Sequence, residues 1–244
     1  SMISVYIFTV WSGNEPFLFY SATGLIAAII IAFFVKEPAK NCKGLKQNST
    51  SYSNILHALK EIRRPAIHTG ICLYGGSYGI FITVIPGVLL REKAFSQSEV
   101  GLFFALFYIA ISISQVFAGK LSDRHGRNVT MVMGLLLVMT GLAPFMFFTG
   151  KGILAALFLA SFGLGMFCVS SLALLNEAVP DSLKGSISGL FYLLWGIGYF
   201  LFPPLMANLG RYLDFHMLFP ILSFVVLAEL IALAWKPGTI RDSS

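Results

Sequence analysis

Seven runs of about 20 mostly apolar residues, joined for the most part by short polar turns, leave this chain few folds to choose from. They cover residues 17–35, 67–90, 100–118, 129–148, 152–175, 187–207 and 215–235. At about 1.5 Å per residue, each is long enough as a helix to cross the hydrocarbon core of a bilayer. Backbone groups in hydrocarbon must be satisfied internally, which leaves helices or closed barrels. These runs are continuous rather than alternating, so they read as helices. Only 11% of residues are charged and 57% are hydrophobic, where a soluble domain carries roughly a quarter charged. Twenty-three Phe and 23 Gly suit lipid-facing bulk and close helix packing. The fold class expected is an all-α integral membrane protein with about seven transmembrane helices.

The segment 2–11 is apolar but too short to span, and the chain opens at Ser1 in the middle of it. It reads as part of a longer polypeptide, with no basic segment and cleavage site marking a secretory signal. One connection is long. Residues 36–66 are polar and basic, and Ile55, Leu56, Leu59 and Ile62 recur there at helical spacing. An amphipathic helix on the membrane surface is expected, entering the next span at Pro65. The Cys residues (Cys42, Cys72, Cys168) show no paired spacing and read as small packing groups.

Cation placement sets the sidedness. Of the 17 Lys and Arg, all but Arg91, Lys93, Lys151 and Arg211 fall in one alternating set of connections: the linker 36–66, the hinge 119–128, the 176–186 turn and the C-terminal tail. The positive-inside rule puts that set in the cytoplasm. The net charge of +6 is thereby a matter of orientation and not a nucleic-acid footprint. The six spans after the linker divide into two sets of three with opposite topology. Inverted three-plus-three repeats are a transporter device, built to exchange two conformations about a central site.

Two polar segments carry more than topology. The first holds Gly119, Asp123, Arg124, Gly126 and Arg127 between two spans. Arg124 and Arg127 are what a plain topology determinant needs, but an acid contributes little to orientation, so Asp123 asks for another role. The second holds Glu177, Pro180, Lys184 and Gly185.

Together these segments resemble the major facilitator superfamily. Its loop between the second and third helix of each half reads G-x-L-a-D-R/K-x-G-R/K-R/K. Gly119, Leu121, Asp123, Arg124, Gly126 and Arg127 match it, with Ser122 at the small position and Asn128 departing at the last basic one. Glu177-x-x-Pro180-x-x-x-Lys184-Gly185-x-x-x-Gly189 is similar to the family's sequence between the fourth and fifth helix of a half. The resemblance implies that residues 67–236 are the C-terminal six-helix bundle and 1–35 the end of the N-terminal bundle. It makes 36–66 the central cytoplasmic linker and 237–244 a cytoplasmic tail. It also implies a latch, with Asp123 facing the start of the helix at 184–188 and capping its positive end. Gly119 and Gly126 would let backbones approach, and Glu177 would pair with one of the arginines.

Candidates for a substrate path are the polar and aromatic groups inside spans. Glu229 is the acid clearly within an apolar run, near enough to its end that the carboxylate can also snorkel to the interface. Gln115 has Ser112 and Ser114 nearby. Tyr74 and Tyr78 are four apart on one face of a glycine-rich span that also holds Pro86, and a bend or local opening is expected there. Trp195 and Tyr192 lie in a span with Pro203 and Pro204; core packing is the competing reading for all these aromatics. The expected function is a secondary transporter moving a small, hydrophobic drug-like solute by alternating access and proton-coupled antiport. Its implied surroundings are the plasma membrane, a coupling proton and the absent N-terminal half, with the C-terminus cytoplasmic. Alternatives are a seven-span receptor or a non-transporting membrane fragment. An enzyme is not expected: His57, His68, His125 and His216 are scattered singly, and no cofactor or metal cluster is indicated.

Overall fold

The computed structural model describes residues 65–235, apart from the side chain of Ser182, together with residues 21, 22, 24–26, 29, 30 and 33. The chain divides into two units, Ser1–Ser51 and Tyr52–Ser244. In the first, the described residues are helical and exposed. Most of the span expected at 17–35, the linker 36–66 up to Pro65 with its surface helix, and the tail 237–244 lie outside the described residues.

The second unit is all-helical over the described residues. Its helices are α1 (Pro65–Arg91), α2 (Gln97–His125), α3 (Arg127–Leu142), α4 (Lys151–Glu177), α5 (Lys184–Leu209) and α6 (Phe215–Trp235). Among the described residues six segments are long and apolar enough to cross a membrane, α3 being counted together with the short 3₁₀ turn Phe145–Phe147 that follows it. Pro65 opens α1, where a missing N–H costs nothing. Ser96 caps α2 with a reciprocal box, accepting from the Glu99 backbone N–H while Glu99 accepts from that of Ser96.

Three expectations need correction. The hinge at 119–128 is not a loop. Nothing between Lys120 and His125 breaks a helix, so α2 continues through Asp123 and Arg124 and the turn is confined to Gly126. Its φ of 92° and ψ of 151° lie in a region almost reserved for glycine. The span expected to run to Phe148 instead ends its α-helix at Leu142, because Pro144 cannot donate to the preceding turn. Finally, α1 is not locally opened at its glycines. It is helical without interruption past Pro86, and the glycines serve packing.

That packing is what holds the bundle. Lipid offers no hydrophobic drive between helices, so close backbone approach and van der Waals contact must do the work. On α1 and α5, a Cβ at Gly79 would lie 2.7 Å from the Tyr199 carbonyl and 2.8 Å from the Pro203 ring. Gly75 faces the Trp195 carbonyl and Gly198 that of Cys72 more closely still. Gly134 of α3 faces Gly163 and Phe167 of α4, and Gly165 of α4 faces Ser114 and Ile111 of α2. Opposite the Gly126 turn, Phe145 packs edge-on against Phe219 of α6 at 4.5 Å, and Lys93 donates to the Met146 carbonyl.

Candidate functional site

At the Gly126 end, the chain gathers three charges. Arg127 opens α3, and its guanidinium reaches back to Asp123 of α2 (Nη1–Oδ1, 2.6 Å) and across to Glu177 at the end of α4. The contact to Glu177 is a fork: Nη2 donates to Oε1 at 2.6 Å, and Nε lies 3.1 and 3.2 Å from the two oxygens. Arg127 is 20% exposed, whereas Asp123 and Glu177 are 64% and 54% exposed. One cation thus holds two solvated carboxylates from two neighbouring helices. The pairing of Glu177 with an arginine is present, and the arginine is Arg127. Arg124 is exposed and enters no ion pair among the described residues.

The expected cap is not formed. α5 starts at Lys184 behind Leu183, with no side-chain cap bond. Asp123 is drawn instead to Arg127, four residues on across the turn. Lys184 turns to Asp181 at 2.6 Å, and that ammonium holds the exposed Asp181 carboxyl below the usual carboxylate range. Pro180 precedes the 3₁₀ turn Asp181–Leu183. A Cβ at Gly119, Gly126 or Gly185 would meet open space. The close backbone approach expected of Gly119 and Gly126 is therefore absent, and Gly126 is explained by its dihedral angles. Sequence reasoning missed a further link: Ser188 of α5 donates to Asn176 Oδ1 of α4 at 3.5 Å, while Asn176 donates to the Leu172 carbonyl.

Inside the bundle, Tyr78 of α1 is the centre of an aromatic cluster. Its ring lies 5.2 Å from Phe107 of α2, 5.7 Å from Trp195 and 6.3 Å from Tyr199 of α5. Trp195 stacks on Tyr199 at 5.0 Å and 26°. The Trp195 indole N–H is buried without a hydrogen-bond partner among the described residues. Tyr74 is buried and continues the cluster to Phe167 of α4 and Phe191 of α5. The structure therefore brings Tyr74, Tyr78 and Trp195 together. Phe107 and Tyr199 belong with them and were missed; the four-residue step from Trp195 to Tyr199 was a legible signal.

Two candidates lie elsewhere. Gln115 is half-buried on α2 and its side chain makes no hydrogen bond among the described residues; the neighbouring Ser114 hydroxyl turns back to its own helix at Ile111. Glu229 of α6 turns toward α1. Thr69 of α1 donates to its Oε2 at 2.9 Å, and Oε1 is buried beside Gly70. At the opposite end of α1 and α5, a cavity of about 420 Å³ is lined by Thr83, Gly87, Arg91, Glu92, Pro203 and Phe215 among others. No cluster of three or more metal-ligating side chains occurs among the described residues.

Comparison with known proteins fits this architecture. The sequence profile of the Major Facilitator Superfamily matches residues 67–243. The chain is 28% identical over 119 residues to the niacin transporter NiaP of Acinetobacter baylyi, covering 48% of this chain and 27% of that protein. It is 26% identical over 161 residues to the quinolone resistance protein NorA of Staphylococcus aureus, covering 63% of this chain and 41% of NorA. The chain spans less than half the length of either relative.

Proposed function

On the premise that this multi-pass membrane chain belongs to the Major Facilitator Superfamily, whose members are transporters and not enzymes, we propose that it is part of a secondary transporter working by alternating access. In this reading residues 67–236 are the C-terminal six-helix bundle and 1–35 the end of the N-terminal bundle, joined by the linker 36–66 and followed by the tail 237–244. The missing partner is the rest of that N-terminal half. The charged ends and the tail 237–244 face the cytoplasm of a plasma membrane.

The observation that carries the substrate class is the aromatic cluster of Tyr74, Tyr78, Trp195 and Tyr199, which among the described residues enters no ion pair and holds an indole donor without a partner. The partly exposed rings of Tyr78, Trp195 and Tyr199 can stack on a flat ring. Niacin and quinolones, the compounds in the names of the two relatives, are both planar heteroaromatic molecules. In this reading the solute is a planar aromatic compound, exchanged against a proton. The knot of Asp123, Arg127 and Glu177, with Gly119, Arg124, Gly126, Pro180, Lys184 and Gly185 around it, acts as the conformational latch.

The test is solute movement in proteoliposomes carrying the full-length protein. An imposed pH gradient should drive accumulation of a fluorescent planar aromatic solute. Trp195→Ala should raise the half-saturating concentration, and Asp123→Asn should slow turnover while leaving membrane insertion intact. Absence of gradient-driven movement for every planar aromatic solute tried overturns the reading; unchanged turnover in Asp123→Asn overturns the latch alone.

A further inference from the structure

Glu229 presents a problem of hydrogen-bond supply. It lies six residues before Trp235 in α6, about 9 Å from that helix end. An ionised carboxylate offers about four acceptor sites. Among the described residues Oε2 receives one donor, the Thr69 hydroxyl, and the buried Oε1 receives none. Glu229 takes part in none of the ion pairs among the described residues. The groups around it are few. α1 contributes Thr69 and Gly70, with His68 just before them and Cys72 and Tyr74 beyond. α4 contributes Phe167, followed by Cys168. α3, which packs along α6, has Arg127 as its ionisable residue, engaged with Asp123 and Glu177. The other titratable residue of α6 is His216, thirteen residues away at about 20 Å. A permanently charged acid so poorly supplied is costly inside a membrane protein.

Thr69 offers a way to satisfy it in two forms. Its Oγ1 lies 2.9 Å from Glu229 Oε2, 3.2 Å from the Pro65 carbonyl and 3.3 Å from the Ala66 carbonyl. A hydroxyl rotates to suit its partners. When Glu229 is ionised, Thr69 donates to it. When Glu229 carries a proton on Oε2, that O–H donates to Thr69 Oγ1, and the threonine proton turns back to Pro65 or Ala66. Either arrangement keeps α1 tied to α6, and the carboxylate passes between charges of −1 and 0. Thr69 is exposed about one turn from the start of α1, so water at that end of the bundle can supply and remove the proton.

We propose that Glu229 is a proton-binding site inside the helical bundle, with Thr69 as the positioning residue whose hydroxyl serves both protonation states. The site rests on the transporter reading only for its purpose, as the group that carries the coupling proton. It adjoins the aromatic cluster through one ring: Phe167 is against Gly70 and 5.9 Å from Tyr74.

The test is pH-dependent infrared difference spectroscopy on the full-length protein in lipid nanodiscs, without solute. The carbonyl stretch of a protonated carboxyl should appear as pH falls and vanish from the spectrum in Glu229→Gln. Thr69→Val removes the hydroxyl from both forms, but the charge-assisted bond to the anion is the stronger of the two, so the midpoint should rise by about one pH unit. Thr69→Ser should return it to the wild-type position. The carboxyl band also separates Glu229 from any titration of His68. A spectrum with no titrating carboxyl band, a band that survives in Glu229→Gln, or a Thr69→Val midpoint equal to wild type overturns the proposal. Those failures leave the transporter reading standing. Conversely, a titrating Glu229 band in a protein that moves no solute supports the site and sinks the transport reading.

Discussion

The fork between Arg127 and Glu177 should be measurable as a coupling energy of about 1 kcal/mol at low salt, and its size follows from exposure. Both carboxylates on Arg127 are more than half exposed, so water screens them and the desolvation cost is small. Exposed pairs yield about 0.2–1 kcal/mol in double-mutant cycles, with bidentate geometry at the upper end. The contact to Asp123 is single and also exposed, and should yield about 0.3–0.5 kcal/mol. The cycle is built from Arg127→Gln, Glu177→Gln and the double variant, with unfolding of the protein in a lipid-like environment as the readout. Glu177→Gln leaves the 20%-exposed Arg127 still paired with Asp123, and Arg127→Gln leaves two solvated carboxylates, so neither variant strands an unpaired buried charge. At about 1 M salt the Debye length falls to about 3 Å, and most of the coupling should disappear. A coupling below about 0.3 kcal/mol at low salt, or one indifferent to salt, would refute the reasoning. The knot would then be a geometric coincidence of helix ends and not a clasp.

Three further outcomes are expected. Gly198→Ala drives a methyl into the Cys72 carbonyl where α1 and α5 touch; the overpacking should cost about 1–3 kcal/mol, read as a lowered melting midpoint, and an unchanged midpoint would mean that the helices separate freely. Gly126→Ala forces a side chain into the glycine-only region at φ 92° and ψ 151° and should cost about 1–3 kcal/mol, although open space surrounds the site; Gly119→Ala, in helix with nothing near its Cβ, is the matched control and should be neutral or slightly stabilising by the same measurement. Asp181 should titrate below the ordinary Asp value of about 3.9 because Lys184 donates to it, so its contribution to stability is present above that value and lost as pH falls through the depressed one; site-specific NMR titration should find it restored to the ordinary range in Lys184→Gln.

The number and placement of the described spans were legible because a bilayer imposes one long apolar run per helix, and the same constraint made α1 to α6 readable to within a few residues at most ends. What the sequence could not carry was the use of each glycine. Gly75, Gly79 and Gly198 permit backbone contact, Gly126 supplies a positive φ, and Gly119 and Gly185 have open space around them. Nothing in the letter distinguishes these cases, since the difference lies in what stands opposite. The turn at Gly126 was misread for a related reason. Charge marks where a segment leaves the membrane, and a helix can leave the membrane without ending. The Asp123 partner was missed because the acid was weighed against a distant helix end, when an arginine four residues along already satisfied it.

These corrections bear on how the bundle can move. α1 and α5 touch backbone to backbone at three of their glycines, so displacing one without the other would cost several close contacts at once. The aromatic cluster spans that same seam, with Tyr78 on one helix and Trp195 and Tyr199 on the other. Its geometry is therefore held by a rigid pair and not by two helices free to part. The charged knot ties different elements, the α2–α3 turn and the end of α4, through contacts that water already weakens. A conformational change that spares the strongest packing would break the knot first and carry α1, α5 and the aromatic surface as one body. Among the described residues Glu229 is joined to that body by one hydrogen bond, from the Thr69 hydroxyl; since that bond can be kept in both protonation states, a proton there changes the charge carried by α6 and not its tether to α1.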